Sequence, residues 1–258
     1  IFYLRINFND YYLFKILLKN LTFALEKNIW KNADYIFVNR KDEMDIISLK
    51  NKNISLVPAK SRLDLKINTN SPQEGAPINF IFVGSSGNVP NRVSINRFLE
   101  EYWKSILFYF PKSRLKIVGK EWDSFIPKTN GVSLLGFLSE KELYQEYQDV
   151  HFSIGYLEYG AGVKGKVLES MEHKTIILGN EVGFAGIECE ALKPFKNFSE
   201  LKNLINWYLI EDNYQSDINL YASFLRKNYN NKLIKCGIKD AIETFYEKGE
   251  SYEHTINL

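Results

Sequence analysis

Four short apolar runs in this chain end directly on a glycine. They are Asn79–Val83 before Gly84, Leu115–Val118 before Gly119, Val132–Leu135 before Gly136 and Thr175–Leu178 before Gly179. A fifth run, His151–Tyr156, stands among them. Helical patterns occupy the intervals: Val93 to Phe110, Ser139 to Tyr147, Val167 to Glu172 and Ser199 to Leu209. Ser139 with Glu142 forms a capping box, and Ser199 reads as an N-cap. Strands alternating with helices imply a parallel sheet covered on both faces. The fold class expected is therefore α/β, a doubly wound Rossmann-like sheet. Its ligands belong in the loops at the carboxyl ends of the strands, where these glycines stand.

The flanking segments read differently. Residues 11 to 31 form an amphipathic helix, with Leu13, Leu17, Leu21 and Leu25 at i+4 spacing. A core-facing helix is the first reading. A membrane-surface helix, and so a peripheral membrane contact, is the second. Ala33–Asn39 and Ile54–Pro58 are strands around a short helix, Asp42 to Lys50. Residues 59 to 77 are polar and read as a linker. The tail from Asn213 to about Glu247 is helical, broken near Asn228–Asn231, and Ile234, Ile238 and Ile242 give its last helix one apolar face.

Composition closes several alternatives. Thirty-three basic and 31 acidic residues leave +2, with no basic run, so nucleic acid is not an expected partner. No apolar stretch approaches the roughly 18 residues of a membrane span, and no signal peptide is visible. Cys189 and Cys236 stand far apart and read as reduced, buried thiols of a cytoplasmic protein. His151, His173 and His254 pair neither with each other nor with cysteine at ligand spacing, so no metal is expected. His151 reads as a structural histidine. No nucleophile elbow is present.

The segment from Glu158 to Met171 carries the chemistry. Gly160, Gly162 and Gly165, with Lys164 and Lys166, fall within seven residues. They follow a strand and precede a helix. Bare backbone lets a phosphate approach, the first helical N–H groups point at it, and the lysines add positive charge. Glu169, a turn into the helix, could accept bonds from a ribose. A tight turn with solvated lysines is the plainer reading. The run is not a Walker loop, and it is a poor dinucleotide fingerprint, because that motif belongs in the first βα turn. Two further glycine-bearing loops stand beside it. Gly84–Arg92 faces a phosphate or is a plain βα loop, with Asn91 and Arg92 as its polar partners. Val182–Glu188, around Gly183, closes over a sugar or is a surface turn.

The order of these motifs resembles a known family. Residues 78 to 190 look like the C-terminal, nucleotide-sugar-binding domain of the group 1 (family 4) glycosyltransferases of GT-B architecture. The run Gly160-Ala161-Gly162-Val163-Lys164-Gly165-Lys166-Val167-Leu168-Glu169-Ser170-Met171 is its most specific part. Phe82-Val83-Gly84 with Pro90-Asn91, Leu115–Gly119, Val132–Phe137 and Gly183–Ile187 follow the family's order and spacing. Residues 33 to 58 resemble its stretch leading into the hinge.

The resemblance implies a retaining, metal-independent hexosyltransferase that takes a sugar from a nucleotide-diphosphate sugar. A glycan or lipid-linked molecule would be the acceptor, and polysaccharide biosynthesis the setting, in the cytoplasm or at a membrane periphery. It needs no cofactor. Glu169 matches the second glutamate of the family's E-x7-E motif, on the ribose, whereas Ala161 stands where the first would be. Backbone N–H groups of Gly160, Ala161, Gly162 and Val163 would supply the missing contact. The family's Arg and Lys phosphate clamp is not in its usual form; Asn91 or Arg92, with Lys164 or Lys166, would replace it. Lys164, Lys166 and Arg92 are thus the catalytic candidates, stabilising the departing diphosphate. Gly119 and Gly136 would border the base, and Gly84 and Gly183 the donor. The domains expected are 1–66, a remnant of an acceptor domain plus hinge; 67–212, the nucleotide-sugar-binding domain; and 213–258, helices packing back toward the N-terminal segment. The chain opens on Ile1 and reads as a fragment. A non-catalytic nucleotide-sugar-binding or scaffold module, and an epimerase acting on the nucleotide sugar, are the alternatives.

Overall fold

The computed structural model describes residues 8–59, 61, 71–160 and 164–256. In chain order its elements are α1 (Phe8–Asn32), β1 (Ile36–Val38), α2 (Lys41–Ile47), β2 (Ile54–Leu56), β3 (Asn79–Val83) and α3 (Val89–Phe98). A π-helical turn, Leu99–Trp103, joins α3 to α4 (Lys104–Tyr109). Then come β4 (Arg114–Val118), β5 (Val132–Gly136), α5 (Glu140–Tyr147), β6 (Phe152–Ile154), α6 (Gly165–Glu172) and β7 (Ile176–Leu178). The last are α7 (Glu181–Phe184), α8 (Phe198–Tyr208), α9 (Glu211–Asn228) and α10 (Asn231–Ile256). The chain splits into two compact units, Ala59–Asn230 and Ile1–Pro58 with Asn231–Leu258.

The larger unit is a five-stranded parallel sheet in the order β5-β4-β3-β6-β7. The chain winds outward from β3 in one direction, then returns to β3's other side. The doubly wound class expected from the sequence is therefore the one observed. Side chains of a strand alternate between faces, and β3 shows the consequence. Phe80 and Phe82 enter the main core with Ile95, Phe98, Trp103 and Trp122, all essentially inaccessible to solvent. Ile81 enters a second, smaller core with Val118, Tyr147 and Val150. Burying a large apolar side chain is worth about 1.5–3 kcal/mol, so the sheet is held from both faces.

Side chains cap the starts of α5 and α8. Ser139 and Glu142 form the expected capping box, with Ser139 N–H donating to Glu142 Oε2 at 2.7 Å. For α8 the cap is Asn197 and not Ser199. Asn197 Oδ1 accepts from Glu200 N–H at 3.0 Å, two residues earlier than the sequence reading placed it. His151 and His173 are structural: His151 Nδ1 accepts from Asn79 N–H at 3.0 Å, and the buried His173 ring stacks on Tyr147 with centroids 4.0 Å apart.

In the smaller unit β1 and β2 pair in parallel, and Val38, Ile47 and Ile54 form its core. Helix α10 packs on β2 through Gly237 and Ala241, which are buried. A Cβ on Gly237 would fall 2.9 Å from Leu56 O, so glycine is what lets the helix approach. Ile238 and Ile242 of the isoleucine stripe are exposed, and Ile234 is half-buried. Leu21, Leu25 and Ile29 of α1 are exposed as well, against the core-facing reading; the side chains of Leu13 and Leu17 lie outside the described residues. Cys236 is also exposed, unlike the buried Cys189.

Candidate functional site

The strand order reverses between β3 and β6. At such a switch point the loops leaving two neighbouring strands turn to opposite faces and leave a crevice at the carboxyl edge. Here one wall is the loop from Gly84 to Asn88 with the start of α3, and the other is the residues after β6 with the start of α6.

The first wall is built by local hydrogen bonds. Asn88 caps α3, its Oδ1 accepting from Asn91 N–H at 3.2 Å, and Pro90 occupies the first turn, where it forfeits no helical bond. Asn91 Nδ2 donates to Ser85 O at 3.3 Å, which fixes the amide across the loop. Beneath it, Gly84 N–H donates to Val118 O and Gly84 O accepts from the Trp122 indole, both at 2.9 Å. Gly119 has φ +139°, and a Cβ there would lie 1.9 Å from Gly84 O. Gly119 N–H donates in turn to Gly136 O at 2.8 Å. The glycines after β3, β4 and β5 thus form one ledge of bare main chain.

The second wall supplies charge. Helix α6 begins at Gly165 and has no acidic residue in its first turn, so the positive end of its dipole is uncompensated there. Lys166 is half-buried; its ammonium donates to Asn91 Oδ1 at 2.9 Å and stands 4.3 Å from the centroid of the Phe82 ring. Burial pushes its pKa down to about 8; the Glu169 carboxylate opposes this and Lys164 adds to it. Lys164 is only 5% exposed. Its Nζ lies 3.4 Å from where a Cβ on Gly160 would be, so the glycine makes room for the ammonium. Gly160 itself has φ +152°. Glu169 is half-buried one turn beyond Lys166, close enough to Tyr147 that burial first, and this carboxylate second, hold the phenol in its protonated form. Ala161, Gly162 and Val163 lie outside the described residues.

Arg92 is placed elsewhere. Its Nη1 donates to Ser86 O at 3.2 Å and its guanidinium lies 4.5 Å from the Phe125 ring centroid. It braces the β3–α3 loop; Lys166 meets Asn91 instead. Gly183 is buried in α7, where a Cβ would lie 1.9 Å from Gly155 O. Among the described residues no group of three His, Cys, Asp or Glu side chains is placed to hold a metal ion, and no helix is long and apolar enough to cross a membrane.

Three residues that organise the crevice were not singled out from the sequence. Asn180 binds Leu157 at both ends of its amide, accepting from its N–H at 3.1 Å and donating to its O at 2.8 Å, and it also caps α7 through Gly183 N–H at 2.9 Å. The signal was available: an asparagine directly after a strand-ending glycine is a cap in waiting. Ser94, buried in α3, accepts from Glu158 N–H at 2.9 Å. Glu158 accepts from the Tyr156 hydroxyl and lies 3.4 Å from Arg97 Nε. Together they fasten the start of the glycine-rich segment to α3.

No protein-family model matches the sequence, and no curated protein matches it significantly. Solved structures do match the fold. Sucrose-phosphate synthase from Thermosynechococcus elongatus superposes with a TM-score of 0.60 at 17% identity, over 87% of this chain and 61% of that one. HepE from Anabaena, solved with UDP and glucose, gives 0.60 at 12% identity, over 85% and 66%. The pneumococcal O-GlcNAc transferase GtfA, solved with UDP and GlcNAc, gives 0.57 at 14%, over 84% and 47%. The α/β architecture is thus that of GT-B glycosyltransferases. This chain spans between about half and two thirds of the length of these proteins.

Proposed function

We propose that this chain is the donor-binding part of a glycosyltransferase. It would move a hexosyl group from a nucleotide-diphosphate sugar to a glycan or lipid-linked acceptor, with retention and without a metal. The observation that carries the reading is the Lys166–Asn91 pair at the switch point, set at the first turn of α6. Neighbouring folds solved with UDP lend it support.

In this reading the diphosphate lies between the start of α6 and the α3 loop. Transfer breaks the bond from the sugar's anomeric carbon to the diphosphate oxygen, and negative charge grows on that oxygen. Lys166, with Lys164 and the first N–H groups of α6, meets this charge from fixed positions, and such preorganised donors act chiefly on the transition state. Removing one donor typically costs about 3 kcal/mol of barrier. Arg92 contributes by holding the Ser86 loop in place. Glu169 accepts from the ribose hydroxyls, and Gly119 and Gly136 border the base. The main chain at Gly160 approaches the phosphates. A front-face transfer asks for no protein general base: the acceptor's own hydroxyl forms the new bond to the anomeric carbon, and its proton passes to the departing diphosphate oxygen.

Calorimetric titration with UDP and with a UDP-sugar tests the reading. The wild-type chain should bind both. Glu169→Ala should weaken both without lowering the melting temperature, and unchanged affinity would remove Glu169 from the site.

A further inference from the structure

Strands β3 and β6 meet at the switch point, yet their pairing is short. It joins Phe80 with Phe152 and Ile81 with Ser153, against five residue pairs between β3 and β4. At its amino end the pairing is carried on by side chains. His151 N–H donates to Asn79 O at 3.0 Å. The Asn79 N–H, which a parallel ladder would give to a main-chain carbonyl, donates instead to His151 Nδ1 at 3.0 Å. The Asn79 amide donates to Asp149 O at 2.9 Å, and the Tyr214 hydroxyl of α9 donates to His151 O at 2.9 Å. Asn79 is thereby clasped through its N–H, its carbonyl and its side chain.

A ring nitrogen differs from a carbonyl in one respect: it can take up a proton. Nδ1 accepts from Asn79 while it is bare. Protonated, it turns its own N–H toward the Asn79 N–H, and two donors face each other without an acceptor. We propose that His151 is an acid-released latch between β3 and β6. These strands bear the two walls of the crevice at their other ends, so the latch holds the switch point from below, whatever the crevice binds. The ring is half-buried. Burial holds its pKa below the ordinary 6.5, and the Asp149 carboxylate opposes this. Asp149, exposed on the approach to β6, is the charged group that acts on the ring. From the neighbouring elements, β3 presents Asn79 and α9 presents Tyr214, whose phenol burial keeps protonated. As pH falls, the unfolded chain therefore takes up the His151 proton before the folded chain does. The latch contributes its full stability above about pH 6.5 and loses it as pH falls from there through the folded pKa.

The experiment follows the His151 ring nitrogens by NMR and the Asn79 amide by hydrogen exchange, from about pH 7.5 to about pH 5. Thermal melts accompany it, on wild type, His151→Asn and His151→Leu. The asparagine Oδ1 falls close to the place of Nδ1, accepts a hydrogen bond and does not titrate. In wild type, Nδ1 should be a bare acceptor at the upper pH and titrate below 6.5. Protection of the Asn79 amide, relative to a free amide at the same pH, should fall about tenfold or more in step with it. His151→Asn should keep that protection throughout, and its melting temperature should drop about 5 °C less than wild type over the same range. Every other group is common to both proteins, so the difference isolates His151. His151→Leu should leave the amide unprotected at either pH. An Asn79 amide that stays protected while His151 titrates overturns the latch, and so does a His151→Asn protein that loses protection as wild type does. Should His151→Asn not fold, the wild-type titration decides by itself.

Discussion

The Lys166 ammonium donates a hydrogen bond of 2.9 Å to Asn91 Oδ1, joining two helices whose residues lie 75 positions apart in sequence. The bond is made where charge is hard to keep. Burial lowers the Lys166 pKa from its ordinary 10.5 to about 8, against the pull of Glu169 and with the push of Lys164. A buried cation that has lost hydration is a strong donor to an anion that replaces the water. The same burial makes that cation easy to discharge.

A pH profile follows. Between about pH 8 and 10.5 the unfolded chain carries a proton on Lys166 that the folded chain has released. By linkage this group therefore makes the fold more stable as pH rises through that window. Anion binding runs the other way, since it needs the ammonium. UDP affinity should fall as pH rises through about 8, and binding near that pH should take up a proton. Titrations in two buffers of different ionisation enthalpy would measure the uptake. Lys166→Met should bind UDP weakly at every pH, with the step near 8 gone. An affinity that stays level to pH 9.5 in the wild type would separate Lys166 from the anion.

Gly84 and Asn91 should behave as one unit. A Cβ on Gly84 would fall 2.6 Å from Asn91 Nδ2 and 3.0 Å from its Cγ. The amide is the far end of a side chain and can swing away, so Gly84→Ala should fold. In swinging it releases Lys166. Hydrogen bonds to charged groups are worth about 1.5–3 kcal/mol. Gly84→Ala and Asn91→Ala should therefore each weaken UDP binding about tenfold or more, and the double variant should be little worse than either. Additive losses in that cycle would mean that the two residues act separately.

The sheet was legible because its signals are local. A short apolar run needs no partner to be recognised, and all five runs, four of them ending on glycine, became the strands of one parallel sheet. The capping box at Ser139 was legible for the same reason. The Lys166–Asn91 pairing was not, because the sequence allowed Asn91 or Arg92 to face Lys164 or Lys166 equally well. Only strand order decides which pair meets; Arg92 turns instead to Ser86 and Phe125. The stripes of α1 and α10 mark apolar faces without saying what covers them. The α10 contact is made by Gly237 and Ala241, small residues with no hydropathic signature.

Asn180 should prove a keystone of the fold at the crevice. Its loss strands both Leu157 N–H and Gly183 N–H, which its Oδ1 now accepts. A stranded buried donor costs about 1–3 kcal/mol. In a chain of this length each kcal/mol is worth about 2–4 °C. Asn180→Ala should accordingly melt about 5–10 °C lower. Asn180→Asp keeps the acceptor for both donors and loses only the bond to Leu157 O, so it should fall between Asn180→Ala and wild type. Equal melting temperatures for the two variants would show that the acceptor is not what matters.

Gly119 and Gly136 both hold positive φ, +139° and +68°, yet alanine should affect them unequally. At Gly136 the added methyl meets nothing within 4 Å, so the cost is that of left-handed backbone alone, about 1–2 kcal/mol. Asparagine tolerates this conformation better than alanine does, so Gly136→Asn should cost less than Gly136→Ala. At Gly119 the methyl would sit 1.9 Å from Gly84 O, a main-chain atom held by Trp122 and unable to swing aside. Relief requires β3 and β4 to part at their carboxyl ends, which would also break up the ledge of main chain beside the first wall. Gly119→Ala should therefore lose UDP binding and melt well below Gly136→Ala, and neither loss should be recovered by asparagine. Denaturation of the five proteins, wild type and Gly119→Asn included, checks the order. A Gly119→Ala protein as stable as Gly136→Ala would mean that the close approach of the two strands is not what demands glycine there.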